Sequence, residues 1–187
     1  MIDENNVNVI VMMCNEMENG TEKCSNYWSE SNEMKAYKIS VENKAVKKQY
    51  LIRDIRLINN STNKERIVKQ IHFIAWPDHG IPDVSEGIIF ESFSEMIELV
   101  DKFRENSPIV VHCSAGVGRS GTFIAMYSLS KEIKSQIDEN DYEKGIQFSI
   151  FNLVRKLKEM RLFSVQTDLQ YNLIYQYVRH FLIKNNI

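Results

Sequence analysis

The chain is short of the residues that would announce a disulfide scaffold or a metal module. It holds three cysteines in 187 residues, Cys14, Cys24 and Cys113, with no CxxC pair. So odd and sparse a set fits a reducing compartment better than a disulfide framework or a zinc site. Long apolar runs are also missing. The longest, Val9 to Cys14, is far too short to cross a bilayer, and the polar start MIDENN lacks the basic-then-apolar order of a secretory signal. Positive charge is not in surplus: 23 Lys and Arg face 25 Asp and Glu, with no basic stripe, which argues against a nucleic-acid binder. What remains, 43% hydrophobic and 26% charged residues, is a globular composition long enough to bury a core as a single domain over residues 1–187. The expectation is a cytoplasmic protein with no membrane span.

Periodicity supplies the elements. VNVIVMM (7–13) predicts a buried strand. KAYKISV (35–41), the mixed run 45–58 and, after the turn cluster NNSTN (59–63), KERIVKQIHFI (64–74) predict further strands, close enough in sequence to pair antiparallel. WPDHGIPD (76–83) must be a loop, given Pro77, Gly80 and Pro82. After Ser85, read as an N-cap, Ile89, Phe93, Met96, Ile97, Val100 and Phe103 keep helical spacing until Pro108. IVVH (109–112) reads as a short buried strand. Helices are expected from about Gly118 to Ile133, from about Tyr142 to Met160, and from Gln166 onward through Leu173, Tyr177 and Phe181, with Thr167 as a cap. Strands first and helices later give an α+β fold with a twisted, mixed, largely antiparallel sheet flanked by helices.

The stretch VHCSAGVGRSGT (111–122) carries the chemistry. Gly116, Gly118 and Gly121 spell G-x-G-x-x-G, a dinucleotide-binding pattern. That pattern needs a second buried strand ending near an acidic residue about 20 positions on. Asp138 lies at that distance, but KEIKSQ before it is polar and helical in character. No lysine stands where a Walker A loop requires one. The other reading accounts for each residue: a strand ends at His112, small residues turn the chain, and a helix begins. Successive backbone N–H groups then form an anion cradle at a helix N-terminus. Cys113 sits at its base, where the same dipoles favour a thiolate. Arg119 offers a planar fork for two phosphate oxygens. Ser114, Ala115, Gly116, Val117 and Gly118 let a phosphate approach the backbone, and the Ser120 hydroxyl can bond the sulfur and help it leave.

H-C-S-A-G-V-G-R-S-G resembles the phosphate-binding loop of the tyrosine-specific, cysteine-dependent protein tyrosine phosphatases. The resemblance implies a phosphatase-like fold and places the other parts. WPDHGIP (76–82) is similar to the family's mobile acid loop, which makes Asp78 the general acid and Trp76 with Pro77 the hinge and anchor. VQTDLQY (165–171) resembles its glutamine loop, with Gln166 orienting the attacking water and Gln170 beside it on the same helical face. EMENGTEKCSNYW (16–28) resembles a segment in which Glu18 would pair with Arg119 and Lys23 would favour closure of the acid loop, although Ser29 stands where a proline is usual. His112 would orient the loop and tune the thiol. No cofactor is implied, and His72, His79 and His180 lack partners at ligand spacing, so no metal site is expected.

Small neutral residues at 115–117 point to phosphotyrosine on proteins rather than inositol phospholipids, with hydrolysis through a cysteinyl-phosphate. Phosphotyrosine-containing proteins are the implied partners. MIDENNVNVIVMM is similar to an interior family segment, so the N-terminal part of the family domain, with its ring-flanking aromatic, has no counterpart here. That keeps a second class of function open: a weak or inactive phosphotyrosine-binding, substrate-trapping protein. The wealth of Asn, Ile and Lys fits an AT-rich coding sequence and a virus-encoded member of the family.

Overall fold

The apolar run near the start of the chain becomes the interior of a sheet. In the computed structural model, which describes residues 1–29, 36–138 and 145–187, strand β1 (Val9–Met12) is buried along its whole length. It pairs in parallel with β6 (Glu65–Phe73) on one side and β7 (Ile109–His112) on the other. A strand covered on both faces has no polar face to show, hence the unbroken VIVM.

Between β1 and β6 lie a short hairpin, β2 (Met17–Glu18) with β3 (Thr21–Glu22), and two long strands, β4 (Tyr37–Val46) and β5 (Tyr50–Asn59). β4, β5 and β6 form the expected antiparallel meander, and the mixed sheet has the order β4-β5-β6-β1-β7. β1 and β7 join in parallel, so the antiparallel pairing stops at β6. A parallel pair needs a long crossover, and the segment from β6 to β7 supplies one containing a helix. β4 is the outer strand. Its register shifts between Val41 and Asn43 and it is exposed from Glu42 to Val46, features that discourage edge-to-edge pairing.

Helix α1 (Ile88–Arg104) packs Phe93 against Phe73, ring centroids 4.9 Å apart, while Tyr50 donates a hydrogen bond to Glu95 at 2.9 Å. It starts later than the sequence suggests. Ser85 does not cap it; its N–H bonds the Asp83 carboxylate, and Gly87, at φ +71°, turns the chain before Ile88. Glu105 and Asn106 adopt left-handed φ of 48° and 70° and end the helix ahead of Pro108.

The chain divides into two compact units, residues 1–78 with 91–114 and residues 79–90 with 115–187. The sheet lies in the first. The second holds α2 (Gly118–Asp138), α3 (Ile150–Met160) and α4 (Asp168–Lys184). α2 runs beyond the expected Ile133. Tyr142, the expected start of the next helix, and Lys35, at the head of KAYKISV, lie outside the described residues; α3 itself begins after the N-cap Ser149. α4 starts after Thr167, whose hydroxyl accepts from Gln170 N while the Gln170 side chain bonds back, a complete capping box. Ser130 Oγ and the Tyr177 hydroxyl, 2.9 Å apart, join α2 to α4 in the core.

Gly121 is where α2 meets the chain ahead of α4. A Cβ there would stand 2.7 Å from Val165 N and 3.2 Å from Ser164 Cα, both backbone atoms. Val165, buried and held at φ 56°, gives its N–H to Val117 O at 3.2 Å and accepts at its carbonyl from Lys158 Nζ at 2.9 Å.

This packing has two consequences for stability. Gly121→Ala should destabilise the protein by about 1–3 kcal/mol, the usual cost of overpacking against atoms that cannot rotate away, measured by urea unfolding. His72, buried on β6, has its pKa pushed down to about 4 by burial and then by the Arg53 charge. A folded-state value below the unfolded one stabilises the protein above pH 6.5, and that stability fades as pH falls through about 4. The effect is worth up to about 3 kcal/mol, so the loss of unfolding free energy between pH 7 and pH 4 should shrink in His72→Gln.

Candidate active site

Three parallel strands end level with one another. Met12 of β1 is in register with His72 of β6 and with His112 of β7. From those carboxyl ends the chain continues into the hairpin bearing Glu18 and Lys23, into the loop bearing Trp76 and Asp78, and into Cys113. Brought out together in the first unit, these segments occupy the strand ends where open sheets with parallel strands commonly hold ligands.

Cys113 is buried, at 8% exposure, one residue past β7. Met13 N–H bonds the His112 carbonyl at 2.8 Å, tying the end of β7 to β1. The His112 ring lies between two partners, with Nδ1 3.2 Å from the Cys113 carbonyl and Nε2 2.8 Å from the Tyr27 hydroxyl. Burial lowers the His112 pKa, so the ring is neutral and bonds the backbone of the cysteine.

Asp78 is held at both oxygens. Lys23 Nζ stands 2.8 Å from Oδ1, and Asn19 Nδ2 donates to Oδ2 at 3.1 Å. The Lys23 bond, helped by Asn19 and Glu18, keeps the carboxyl below its ordinary range. Asn19 and Gly20, with φ of 48° and 77°, form the two-residue turn between β2 and β3 that brings Asn19 to Asp78. Glu18 is buried and accepts from Asn15 N at 2.9 Å. Trp76 is buried edge-on against Phe73, centroids 6.2 Å apart.

In the second unit the small-residue turn runs into α2. Ser114, the last residue of the first unit, and Ala115 are exposed; Gly116 has φ +72° and Arg119 is half-buried. Gly118 is flanked by the glutamines: a Cβ on it would lie 3.0 Å from Gln170 Nε2 and 3.3 Å from Gln166 Oε1. Gln170 is buried, and its Oε1 accepts from the N–H groups of Gln166 and Thr167 at 2.9 and 3.3 Å. Its amide therefore fixes the Gln166 backbone, while the Gln166 side chain is exposed. Ser120 Oγ is buried with no hydrogen-bond partner among the described residues. A small-residue turn into a helix start, directly after a buried thiol, is chemically suited to an anion at a nucleophile.

The sequence reading overlooked several residues that hold these parts. Asn19 had a local signal, since Asn-Gly is the strongest short hairpin cue. Arg161 Nη2 donates to Ala115 O at 3.2 Å from beyond α3, and Tyr27 reaches His112 from far along the chain; neither leaves a periodic trace. Among the described residues no cluster of His, Cys, Asp and Glu could hold a metal ion, and no helix is long and apolar enough to cross a membrane.

Comparison with known proteins agrees with this geometry. Residues 1–180 match the family model described as protein-tyrosine phosphatase. The chain is 36% identical over 182 residues to tyrosine-protein phosphatase non-receptor type 20 of Rattus norvegicus, covering 95% of this chain and 40% of that protein. It is also 36% identical over 178 residues to tyrosine-protein phosphatase 2 of Dictyostelium discoideum, covering 94% and 45%. It thus spans less than half the length of these relatives. Among solved structures, the catalytic domain of human protein tyrosine phosphatase non-receptor type 18 superposes with a TM-score of 0.81 at 28% identity, covering 96% of this chain and 62% of that one. PTPN18 in complex with HER2-pY1196 phosphopeptides gives 0.83 at 25% identity, covering 98% and 61%. The α+β fold, the cysteine at the end of β7 and a family match over 180 residues lead to one conclusion: the chain belongs to the protein-tyrosine phosphatase family.

Proposed function

We propose that this chain hydrolyses phosphotyrosine on proteins through a cysteinyl-phosphate intermediate. The observation that carries the reading is the buried Cys113 at the end of β7, its carbonyl held by a neutral histidine, leading through a small-residue turn into a helix N-terminus. In this reading the Cys113 thiolate attacks phosphorus and the phenolate oxygen leaves. Arg119 binds two phosphate oxygens and Glu18 holds its fork, while backbone N–H groups of residues 114–118 take the charge that develops. Asp78 protonates the leaving oxygen. Water placed by Gln166 gives a proton to the Asp78 carboxylate and attacks the phosphocysteine, releasing inorganic phosphate and restoring the thiolate and the acid, with the Ser120 hydroxyl easing sulfur's departure. The solved relative PTPN18, bound to phosphotyrosyl peptides of HER2, favours a protein substrate.

The Asp78 contacts refine the acid step. Lys23 holds the Asp78 carboxyl below its ordinary range and so strengthens it as an acid. The Lys23 and Asn19 contacts favour the carboxylate, so in this reading Asp78 gives up its proton with their pull.

The first test is turnover of a phosphotyrosyl peptide by the purified chain. Cys113→Ser should abolish it, and Asp78→Asn should lower kcat by about 10²–10⁴. A folded chain that binds the peptide without releasing phosphate would overturn the reading in favour of a binding protein. The acid step predicts a further change. Lys23→Met removes the bond that lowers the Asp78 pKa, so the descending limb of kcat/KM, which reports the acid in the free enzyme, should move to higher pH.

A further inference from the structure

One cation is buried inside the sheet. Arg53, on β5, is 6% exposed and makes no ion pair among the described residues. Its guanidinium lies over the Trp28 ring, 4.4 Å from the centroid, and Nη1 meets Gln70 Oε1 at 2.6 Å and His72 Nδ1 at 3.0 Å. Gln70 stands directly opposite Arg53 in the β5–β6 register and is itself fully buried.

Proton counting gives this cluster a direction. Arginine only donates, so the Gln70 atom facing it is the oxygen, and the amide nitrogen faces the Tyr27 hydroxyl at 2.7 Å. That nitrogen can only donate, so the tyrosine's single proton goes to its remaining partner, His112 Nε2, at 2.8 Å. A neutral ring that accepts at Nε2 carries its proton on Nδ1, which donates to the Cys113 carbonyl at 3.2 Å. Burial raises the Tyr27 pKa and keeps the phenol a donor. His72 completes the set: it accepts from Arg53 at Nδ1 and donates from Nε2 to the Cys14 carbonyl at 2.8 Å.

We propose that Arg53 and Gln70 are positioning residues for the nucleophile: they set the direction of a buried hydrogen-bond relay through Tyr27 that holds His112 as its Nδ1–H tautomer and so orients the peptide between Cys113 and Ser114. In a trans peptide the N–H points away from the carbonyl. Fixing the Cys113 carbonyl therefore fixes the direction of the Ser114 N–H, the first donor of the loop, and a bonded carbonyl polarises that N–H further. The proposal rests on the phosphatase reading for the role of Cys113 alone.

Gln70→Glu tests it at almost constant volume. A carboxylate still accepts from Arg53, now as a charge pair, but it can only accept from Tyr27. The tyrosine proton turns toward the new carboxylate, and the buried, neutral His112 must donate from Nε2 and lose its proton at Nδ1. Two-bond proton–nitrogen NMR correlations should show Nδ1–H in the native protein and Nε2–H in Gln70→Glu. Iodoacetamide should alkylate Cys113 about tenfold more slowly in the variant at pH 7, the worth of one hydrogen bond, with thermal unfolding confirming an intact fold. A folded variant that keeps its proton on Nδ1, or one whose tautomer switches while alkylation is unchanged, would overturn the proposal. Neither readout requires turnover, so a native chain with the expected tautomer and thiol reactivity but no phosphatase activity would sink the functional reading and leave the relay standing. Arg53→Met supplies a second route. Without its donor the Gln70 amide can turn over, so His112 should populate both tautomers; a pure Nδ1–H spectrum in a folded Arg53→Met protein would also refute the relay.

Discussion

The parallel register of β6, β1 and β7 is the constraint on which the sheet-borne part of the site depends. His72, Met12 and His112 are level across three strands, so the loop bearing Asp78, the segment bearing Glu18 and Lys23, and the cysteine all leave the sheet at the same strand ends. A slip of one residue would carry His72, Met12 and His112 out of line and separate the segments that follow them. The apolar strand with no chemistry of its own thus sets where the chemistry emerges.

The antiparallel β5–β6 register decides the fate of the polar groups inside the sheet. Leu51, Arg53 and Ile55 are buried at alternate positions of β5, so the cation shares the inward face with aliphatic neighbours. Withdrawing a guanidinium from water costs several kcal/mol unless its donors are met. Gln70 and His72 meet the Nη1 donors and the Trp28 ring covers the group's face, without a carboxylate. A buried polar network is favourable only when its members are satisfied, and once satisfied it specifies one packing. Through Gln70 and Tyr27 the antiparallel half of the sheet is hydrogen-bonded to His112 at the end of β7.

The sequence disclosed the parts whose signal is local. The ten-residue cysteine loop, WPDHGIP and VQTDLQY could be singled out as candidates because each is a run of consecutive residues, and Thr167 was legible as a cap. What stayed hidden depends on partners far along the chain. Arg53 lies in a run that reads as mixed apolar and charged, and nothing nearby says it turns inward; only the β5–β6 pairing makes Gln70 its neighbour. The parallel joining of β1 and β7 was invisible for the same reason, because short apolar strands carry no mark of direction. Ser85 misled because a capping residue type was present, yet Asp83 and Gly87 built a turn there first.

The glycines of the cysteine loop show how one pattern can serve a different end. In a dinucleotide fold, G-x-G-x-x-G lets a pyrophosphate approach and a helix pack on a strand. Here Gly116 is needed because its φ of +72° is left-handed. Gly118 is needed because the carboxamides of Gln166 and Gln170 occupy the space of a side chain. Gly121 is needed because the backbone of Ser164 and Val165 lies against α2. Two of the three thus serve the glutamine segment rather than an anion. Val165, a β-branched residue at φ 56°, pays on the order of 1–3 kcal/mol for its conformation. Its bonds to Val117 and Lys158 hold it there, and Gln166 follows directly after. The small residues of the loop are as much a consequence of where the glutamines must stand as of what the loop itself must bind.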